Sequence, residues 1–225
     1  MASSMATLFH FPANSHTFFS VKPFLNPCSI SNPSISPKSP KFSLSSSQSL
    51  AAKTHLLSLI SDQDRGLKTQ QNPNLRSQII AAIDSLAVLG KDFITTDNSL
   101  SGTWRMRWTT EKEQLFIIKN SGVFGTKVGD VLQVIDVDNL MLNNVITFPP
   151  SGVFFVRSSM EVASTQRVNF RFTSAVLRGK DWEVPLPPFG QGWFESVYLD
   201  DDIRVAKDIR GDYLVVDRAP YEWKE

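Results

Sequence analysis

Apolar and polar residues alternate with a period of two through most of the chain from residue 103 to residue 217. The pattern is clearest in Val168-Asn169-Phe170-Arg171-Phe172-Thr173, and it gives a strand one apolar and one polar face. Many short strands with regular turns predict a mainly β fold, either a sandwich or a barrel, and about eight strands close a barrel that holds one small ligand. Eight strands are expected, at 103–110, 130–137, 140–148, 152–162, 167–178, 193–199, 202–207 and 212–217.

A Gly-x-Trp sequence, Gly102-Thr103-Trp104, opens the first of these strands. Glycine permits a sharp backbone turn, and the indole two residues later is large enough to plug one end of a small barrel. In lipocalin-like barrels an arginine from a late strand stacks on this indole. We expect Arg210 to do so, with Arg204 as the second choice, in a structural role that closes the barrel.

The first fifty residues differ in composition from the rest of the chain. They contain 14 serines, three lysines and no acidic residue, and the first Asp or Glu is Asp62. This composition is typical of an organelle transit peptide, and the low arginine content favours a plastid over a mitochondrion. A disordered tail is the alternative. We predict that residues 1–50 form a disordered chloroplast transit peptide, cleaved near residues 45–55.

Removal of residues 1–50 narrows the chemistry of the remaining chain. It leaves 20 Lys and Arg against 22 Asp and Glu, a near-neutral balance that argues against nucleic acid binding. Cys28, the one cysteine, is lost and His55 is the one histidine left, which argues against thiolate, Ser-His-Asp and His-cluster metal chemistry. Asp200-Asp201-Asp202 is expected to be a solvated turn. We predict no catalytic residue, no metal and no cofactor.

Residues 51–91 are expected to form a helical hairpin that packs on the barrel of residues 100–218. Asn72 and Pro73 suit the start of the second helix, and Gly90 suits its end. Its apolar residues recur at three- and four-residue spacing and need a partner surface. The segment from Glu111 to Phe116 is interpreted either as a helical turn that covers the barrel mouth or as a plain loop or strand.

Four segments together resemble the plastid-lipid-associated protein family, also called plastid fibrillins. They are Asp64-Arg65-Gly66-Leu67, the stretch from Leu100 to Thr110, Val168-Asn169-Phe170-Arg171-Phe172, and the stretch from Tyr198 to Asp212. Their order and spacing match that family over roughly residues 51–217. Two positions depart from its pattern: Trp108 replaces the usual tyrosine, and Tyr213 stands where a small residue often follows Arg-Gly-Asp.

The resemblance implies a lipocalin-like barrel in the chloroplast, at plastoglobules, thylakoids or in the stroma. It also implies non-enzymatic handling of an apolar plastid lipid such as a carotenoid, a prenylquinone or an acyl lipid. The chain has no run of 18 apolar residues, so we expect peripheral membrane association and no transmembrane segment. The alternative is a structural protein of plastoglobule or thylakoid surfaces, or an accessory partner of a plastid lipid-biosynthetic enzyme, with a solid barrel.

Large apolar side chains that face inward are the candidate ligand lining. A barrel interior rich in aromatic residues suits prenyl tails, carotenoids or acyl chains, although the same residues also suit a solid core. The candidates are Met106, Phe148, Phe154, Val156, Phe170, Phe172 and Trp193.

A proline-stiffened segment, residues 185–194, is the candidate membrane or partner loop. Leu186 and Phe189 are expected at its surface, where they would suit insertion into a lipid surface or contact with a protein. A loop folded back over the barrel end is the alternative.

Overall fold

The structure is a computed structural model, and it describes residues 42–124, 126–188 and 190–225. The helices are α1 (Phe42–Ile60), α2 (Pro73–Gly90) and α3 (Lys112–Lys119). The strands are β1 (Gly102–Thr109), β2 (Val131–Asp136), β3 (Met141–Phe148), β4 (Gly152–Val162), β5 (Arg167–Arg178), β6 (Glu183–Leu186), β7 (Gln191–Leu199), β8 (Ile203–Asp208) and β9 (Tyr213–Arg218).

The strands form one antiparallel sheet in the order β4-β3-β2-β1-β9-β8-β7-β5-β6, and an additional pairing of β4 with β5 closes it. The sheet therefore returns on itself as an eight-stranded ring, with β6 lying beside the end of β5. This confirms the predicted mainly β, lipocalin-like fold preceded by a helical hairpin. Strand β6 was not predicted, because Pro185, Pro187 and Pro188 made the segment look like a loop.

The inward and outward faces of the strands form separate cores, as the period of two requires. The interior of the barrel is lined from every side by apolar residues, among them Met106, Phe154 and Val216. A second core, which includes Trp108 and Val205, lies between the barrel wall and the two N-terminal helices. A third, smaller core forms where Trp223, near the C-terminus, packs on Phe155 with ring centroids 6.1 Å apart.

The helical hairpin packs against the outer face of the last strands. Asn72 caps α2 by accepting a hydrogen bond from the Leu75 backbone N–H at 3.1 Å, and Pro73 occupies the first turn. Helix α1 begins at Phe42, which lies inside the segment predicted to be a transit peptide. Residues 1–41 of that segment lie outside the described residues. Ser49 and Tyr198 hydroxyls lie 2.7 Å apart, so α1 already contacts the barrel there.

Asp64, Arg65 and Gly66 join the hairpin to the barrel through a left-handed backbone. Their φ angles are 47°, 58° and 113°, respectively, and only glycine adopts this region without strain. The turn brings the Arg65 carbonyl to the end of β1, where it accepts a hydrogen bond from the Thr109 N–H at 3.1 Å. A Cβ at position 66 would collide with the Thr109 carbonyl oxygen. The Asp64-Arg65-Gly66-Leu67 segment is therefore the joint between helices and sheet.

Candidate functional site

Trp104 closes one end of the barrel and is 0% exposed. Its indole Nε1 donates a hydrogen bond to the Leu100 carbonyl at 2.8 Å, and the guanidinium of Arg218 lies 4.2 Å from its ring centroid. Arg218 is held in place by the carbonyls of Ser99, Ser101 and Asp201 at 2.9–3.0 Å. A Cβ at Gly102, whose φ is 136°, would meet this guanidinium. The Gly-x-Trp sequence and Arg218 therefore form one structural unit.

The expectation that Arg210 stacks on Trp104 is corrected by this geometry. Arg210 lies in the β8–β9 turn, and its ion pair with Glu113 places it near the end of β1 that is farthest from Trp104. Arg204, the second choice, lies 5.7 Å from the indole centroid. Arg218 was missed in the sequence, although antiparallel pairing of β1 with β9 places it directly opposite Trp104.

A cavity of about 120 Å³ occupies the barrel interior above this closed end. Six of the seven candidate lining residues lie along it: Met106, Phe154, Val156, Phe170, Phe172 and Trp193. The seventh, Phe148, is buried in the same core but does not line the cavity. For comparison, an apolar cavity of about 150 Å³ holds one benzene molecule. The cavity therefore has room for one ring, or for a short length of chain, and not for a whole lipid.

The floor of the cavity contains two polar residues that sequence reasoning did not identify. Gln133 and Asn144 line it, and Gln133 Nε2 donates to Asn144 Oδ1 at 3.0 Å. Arg204 Nη2 donates to Gln133 Oε1. Arg204 is 0% exposed, and its Nε and Nη1 have no hydrogen-bond partner among the described residues. Burial lowers the pKa of Arg204 to about 9. A buried guanidinium thus lies behind the polar residues at the floor of the apolar pocket.

The open end of the cavity carries an acidic cluster around Arg210. Arg210 Nη1 lies 2.8 Å from Glu113 Oε1, and Asp208, Glu111 and Asp212 lie within 3.5–3.9 Å of the same guanidinium. Glu111 and Glu113 flank the start of α3, so these ion pairs attach that helix to the β8–β9 turn. Four carboxylates around one guanidinium make this opening negatively charged when they are all ionised.

Helix α3 lies at the mouth of the cavity. The helical alternative for Glu111 to Phe116 is thereby confirmed over Lys112–Lys119. Leu115 and Ile117 are buried, and Glu113 and Gln114 line the cavity. The helix therefore covers part of the opening with an apolar underside and a polar edge.

Two carboxyl groups in the acidic cluster have raised pKa values. Burial, together with the nearby Asp208 charge, raises the pKa of Glu111 to about 8. Burial and Asp208 also raise the pKa of Asp212, against a lowering contribution from its hydrogen bond with Thr110. Glu111 is therefore largely protonated at neutral pH, which reduces the repulsion within the cluster.

The candidate membrane loop is placed differently from the expectation. Leu186 belongs to β6, pairs with Ala175 and packs half-buried against the barrel core, so it is not the exposed loop residue that was expected. Trp193 lies in β7 beneath the guanidinium of Arg167, at 4.0 Å. Phe189 lies outside the described residues.

The carboxylates of the β7–β8 turn serve the structure. Asp200 accepts hydrogen bonds from the Asp202 and Ile203 backbone N–H groups, at 2.9 and 2.8 Å. Lys53 of α1 forms ion pairs with Asp200 and Asp202, each at 2.8 Å. No group of His, Cys, Asp and Glu side chains in the described part of the chain is arranged to hold a metal ion.

The fold and the cavity define a small closed β-barrel with an apolar pocket in its interior. The PAP_fibrillin family model matches residues 50–217, and the chain belongs to this family. Two relatives from Arabidopsis thaliana agree. "Probable plastid-lipid-associated protein 11, chloroplastic" is 70% identical over 174 residues, which cover 77% of this chain and 82% of that protein. "Plastid-lipid-associated protein 6, chloroplastic" is 24% identical over 195 residues, which cover 72% and 68%.

No solved structure matches the chain. Within the described residues, none of the helices combines the length and the apolar character that crossing a bilayer requires.

Proposed function

We propose that this protein is a non-enzymatic chloroplast protein that binds or sequesters an apolar plastid lipid, such as a carotenoid, a prenylquinone or an acyl lipid, in its barrel. The observation that carries the proposal is the cavity of about 120 Å³, whose walls include Met106, Phe154 and Phe172. An eight-stranded barrel with a solid core has no such space. Plastid location is supported by the chloroplastic relatives and by the acid-free N-terminal segment.

The cavity accommodates only part of a plastid lipid. Its wide end is bordered by α3 and the β8–β9 turn, so the remainder of a long ligand would extend past Glu113 and Ile209 toward a membrane or a partner. This arrangement suits transfer or sequestration at a lipid surface better than storage of a fully enclosed molecule.

A space-filling substitution tests the proposal. Ala206 lines the cavity from β8, so Ala206→Phe places a ring inside it, whereas Thr173→Phe adds the same ring on the exposed outer face of β5. Protein isolated from chloroplasts is extracted and its bound lipids are identified by mass spectrometry. The wild type and Thr173→Phe should carry an apolar lipid, and Ala206→Phe should carry much less. Equal lipid content in Ala206→Phe and the wild type would refute the barrel as the binding site.

A structural role at plastoglobule or thylakoid surfaces is the second candidate, and exposed apolar residues at the open end favour it. Phe116 of α3, Trp182 of the β5–β6 turn and Ile209 of the β8–β9 turn are each about half exposed. Side chains of this kind insert into the interface of a bilayer. In this role the exposed apolar residues at the open end, here called the rim, attach the protein to the membrane, and the cavity binds no ligand.

Flotation with neutral galactolipid vesicles separates the two candidates. Under the second, the double variant Trp182→Ser/Ile209→Ser stays with the soluble fraction while Ala206→Phe floats with lipid. Val88→Ser removes an exposed apolar side chain from α2, which lies on the side of the barrel, and serves as the matched control. Undiminished flotation of the double variant would exclude Trp182 and Ile209 as the membrane attachment.

A further inference from the structure

The guanidinium of Arg204 is enclosed behind the floor of the cavity, and no carboxylate of the described residues compensates its charge. It lies between the rings of Phe194 and Trp104, 5.1 and 5.7 Å from their centroids, and it contacts Gln133 Oε1. In the part of the chain that the structure describes, no Asp or Glu forms an ion pair with it. Two of its three nitrogens have no hydrogen-bond partner there.

Burying the Arg204 guanidinium in this way costs free energy that a purely structural residue would not need to lose. An isolated buried charge loses its hydration, and contact with aromatic faces returns only part of that loss. Arg218 shows what a structural arginine on the same indole looks like here: each of its nitrogens donates to a backbone carbonyl, at 2.9–3.0 Å.

Arg204 also lies next to the cavity. It precedes Ala206 by two residues on β8, so both side chains face inward, and Ala206 lines the cavity. Gln133 and Phe194, which contact the guanidinium, line the cavity as well. Gln133 therefore separates Arg204 from the cavity, and a ligand oxygen that displaced its amide would reach the guanidinium.

We infer that the cavity takes a lipid acid head-first, with its carboxylate at Arg204 and its hydrocarbon chain directed toward α3 and the mouth. The inference rests on the proposed function and names the substrate class for it. A carboxylate supplies both the negative charge and the acceptors that Arg204 lacks, whereas an ester or a hydrocarbon supplies no charge. The cavity holds the head and the first part of the chain, and the remainder passes out at the open end.

The test compares cis-parinaric acid with its methyl ester, two fluorescent probes with the same chain and different heads. Both are titrated into the purified protein at neutral pH, and the dissociation constants are read from fluorescence enhancement. We expect the wild type to bind the acid at least about tenfold more tightly, as a charged hydrogen bond left unpaired in the ester requires. Arg204→Met should bring the ratio close to one while the ester still binds.

Arg218→Met is the matched control, since it removes the other guanidinium from Trp104 without changing the cavity floor. It should lower the melting temperature and leave the acid-to-ester ratio as in the wild type. Should either variant fail to fold, the acid-to-ester affinity ratio of the wild type still tests whether the cavity prefers a carboxylate head. Equal affinity for both probes would overturn the head-first inference and leave the proposed function standing. Failure of the wild type to bind either probe would also overturn the head-first inference, and the lipid extraction from the Ala206→Phe variant would then decide the proposed function.

Discussion

Two arginines contact Trp104 from opposite sides and have different roles. Arg218 reaches the indole from the last strand and is fixed by three backbone carbonyls. Arg204 reaches it from inside the barrel and has one side-chain acceptor, Gln133. The first therefore stabilises the closed end, and the second keeps two nitrogens, Nε and Nη1, without a hydrogen-bond partner among the described residues. Sequence pattern cannot separate these roles, because they depend on which backbone oxygens surround each guanidinium.

Three glycines should differ in their tolerance of alanine. Gly66→Ala places a Cβ against the Thr109 backbone oxygen at a positive φ, and Gly102→Ala, also at a positive φ, meets a side-chain group, the Arg218 guanidinium, instead of backbone. Gly122 faces open space. We expect losses of unfolding free energy of about 2–3 kcal/mol for Gly66→Ala, about 1–2 for Gly102→Ala and close to zero for Gly122→Ala. Urea denaturation measures all three, and any other ranking would contradict the structural assignment.

At the scale of elements, α3 is attached to the barrel by both packing and charge. Its inner side buries Leu115 and Ile117, while Glu113 pairs with Arg210 across the cavity mouth. Glu111, immediately before the helix, has a raised pKa because burial and Asp208 both oppose its ionisation. The contribution of Glu111 to this attachment therefore changes with the protonation of its carboxyl group.

The free energy of unfolding should fall as the pH rises from about 4.5 to about 8. The folded-state pKa of Glu111 is about 8, against an ordinary value of 4.5. The native state then holds a proton that the unfolded chain has lost, so the free energy of unfolding decreases between about pH 4.5 and pH 8 and levels off above, as far as this group is concerned. The total is on the order of a few kcal/mol.

Glu111→Gln keeps the shape of the side chain and removes its titration. The variant should match the wild type near pH 4.5 and exceed its melting temperature by a growing margin up to pH 8. Glu113→Gln, which breaks the neighbouring ion pair and keeps Glu111, should retain the wild-type slope. An identical pH profile for Glu111→Gln and the wild type would show that Glu111 is ionised throughout.

At the scale of the whole molecule, the sequence predicts the sheet far better than the site. Strand alternation and turn residues located the eight strands of the ring, since each buries one face. Strand β6 was not predicted, because prolines indicate a loop in the sequence but are tolerated in the edge strand that it forms. The Arg204–Gln133 contact joins residues 71 positions apart, and only strand register brings such residues together. The same holds for Arg218 and Trp104.

The N-terminal helix should be part of the working protein. Leu56 and Ile60 of α1 are buried against α2 and the barrel wall, and Lys53 forms two ion pairs with the β7–β8 turn. Burial of one such apolar side chain contributes about 1.5–3 kcal/mol, and whole domains are stable by only about 5–15 kcal/mol. A chain beginning at Ser47 should therefore unfold at the same urea concentration as the full-length protein, and one beginning at Ser61 at a much lower one.

For the same reason we expect the transit peptide to be cleaved before Ser49 after import into isolated chloroplasts, as measured by N-terminal mass spectrometry. A mature protein that begins after Lys53 would show that these contacts are dispensable.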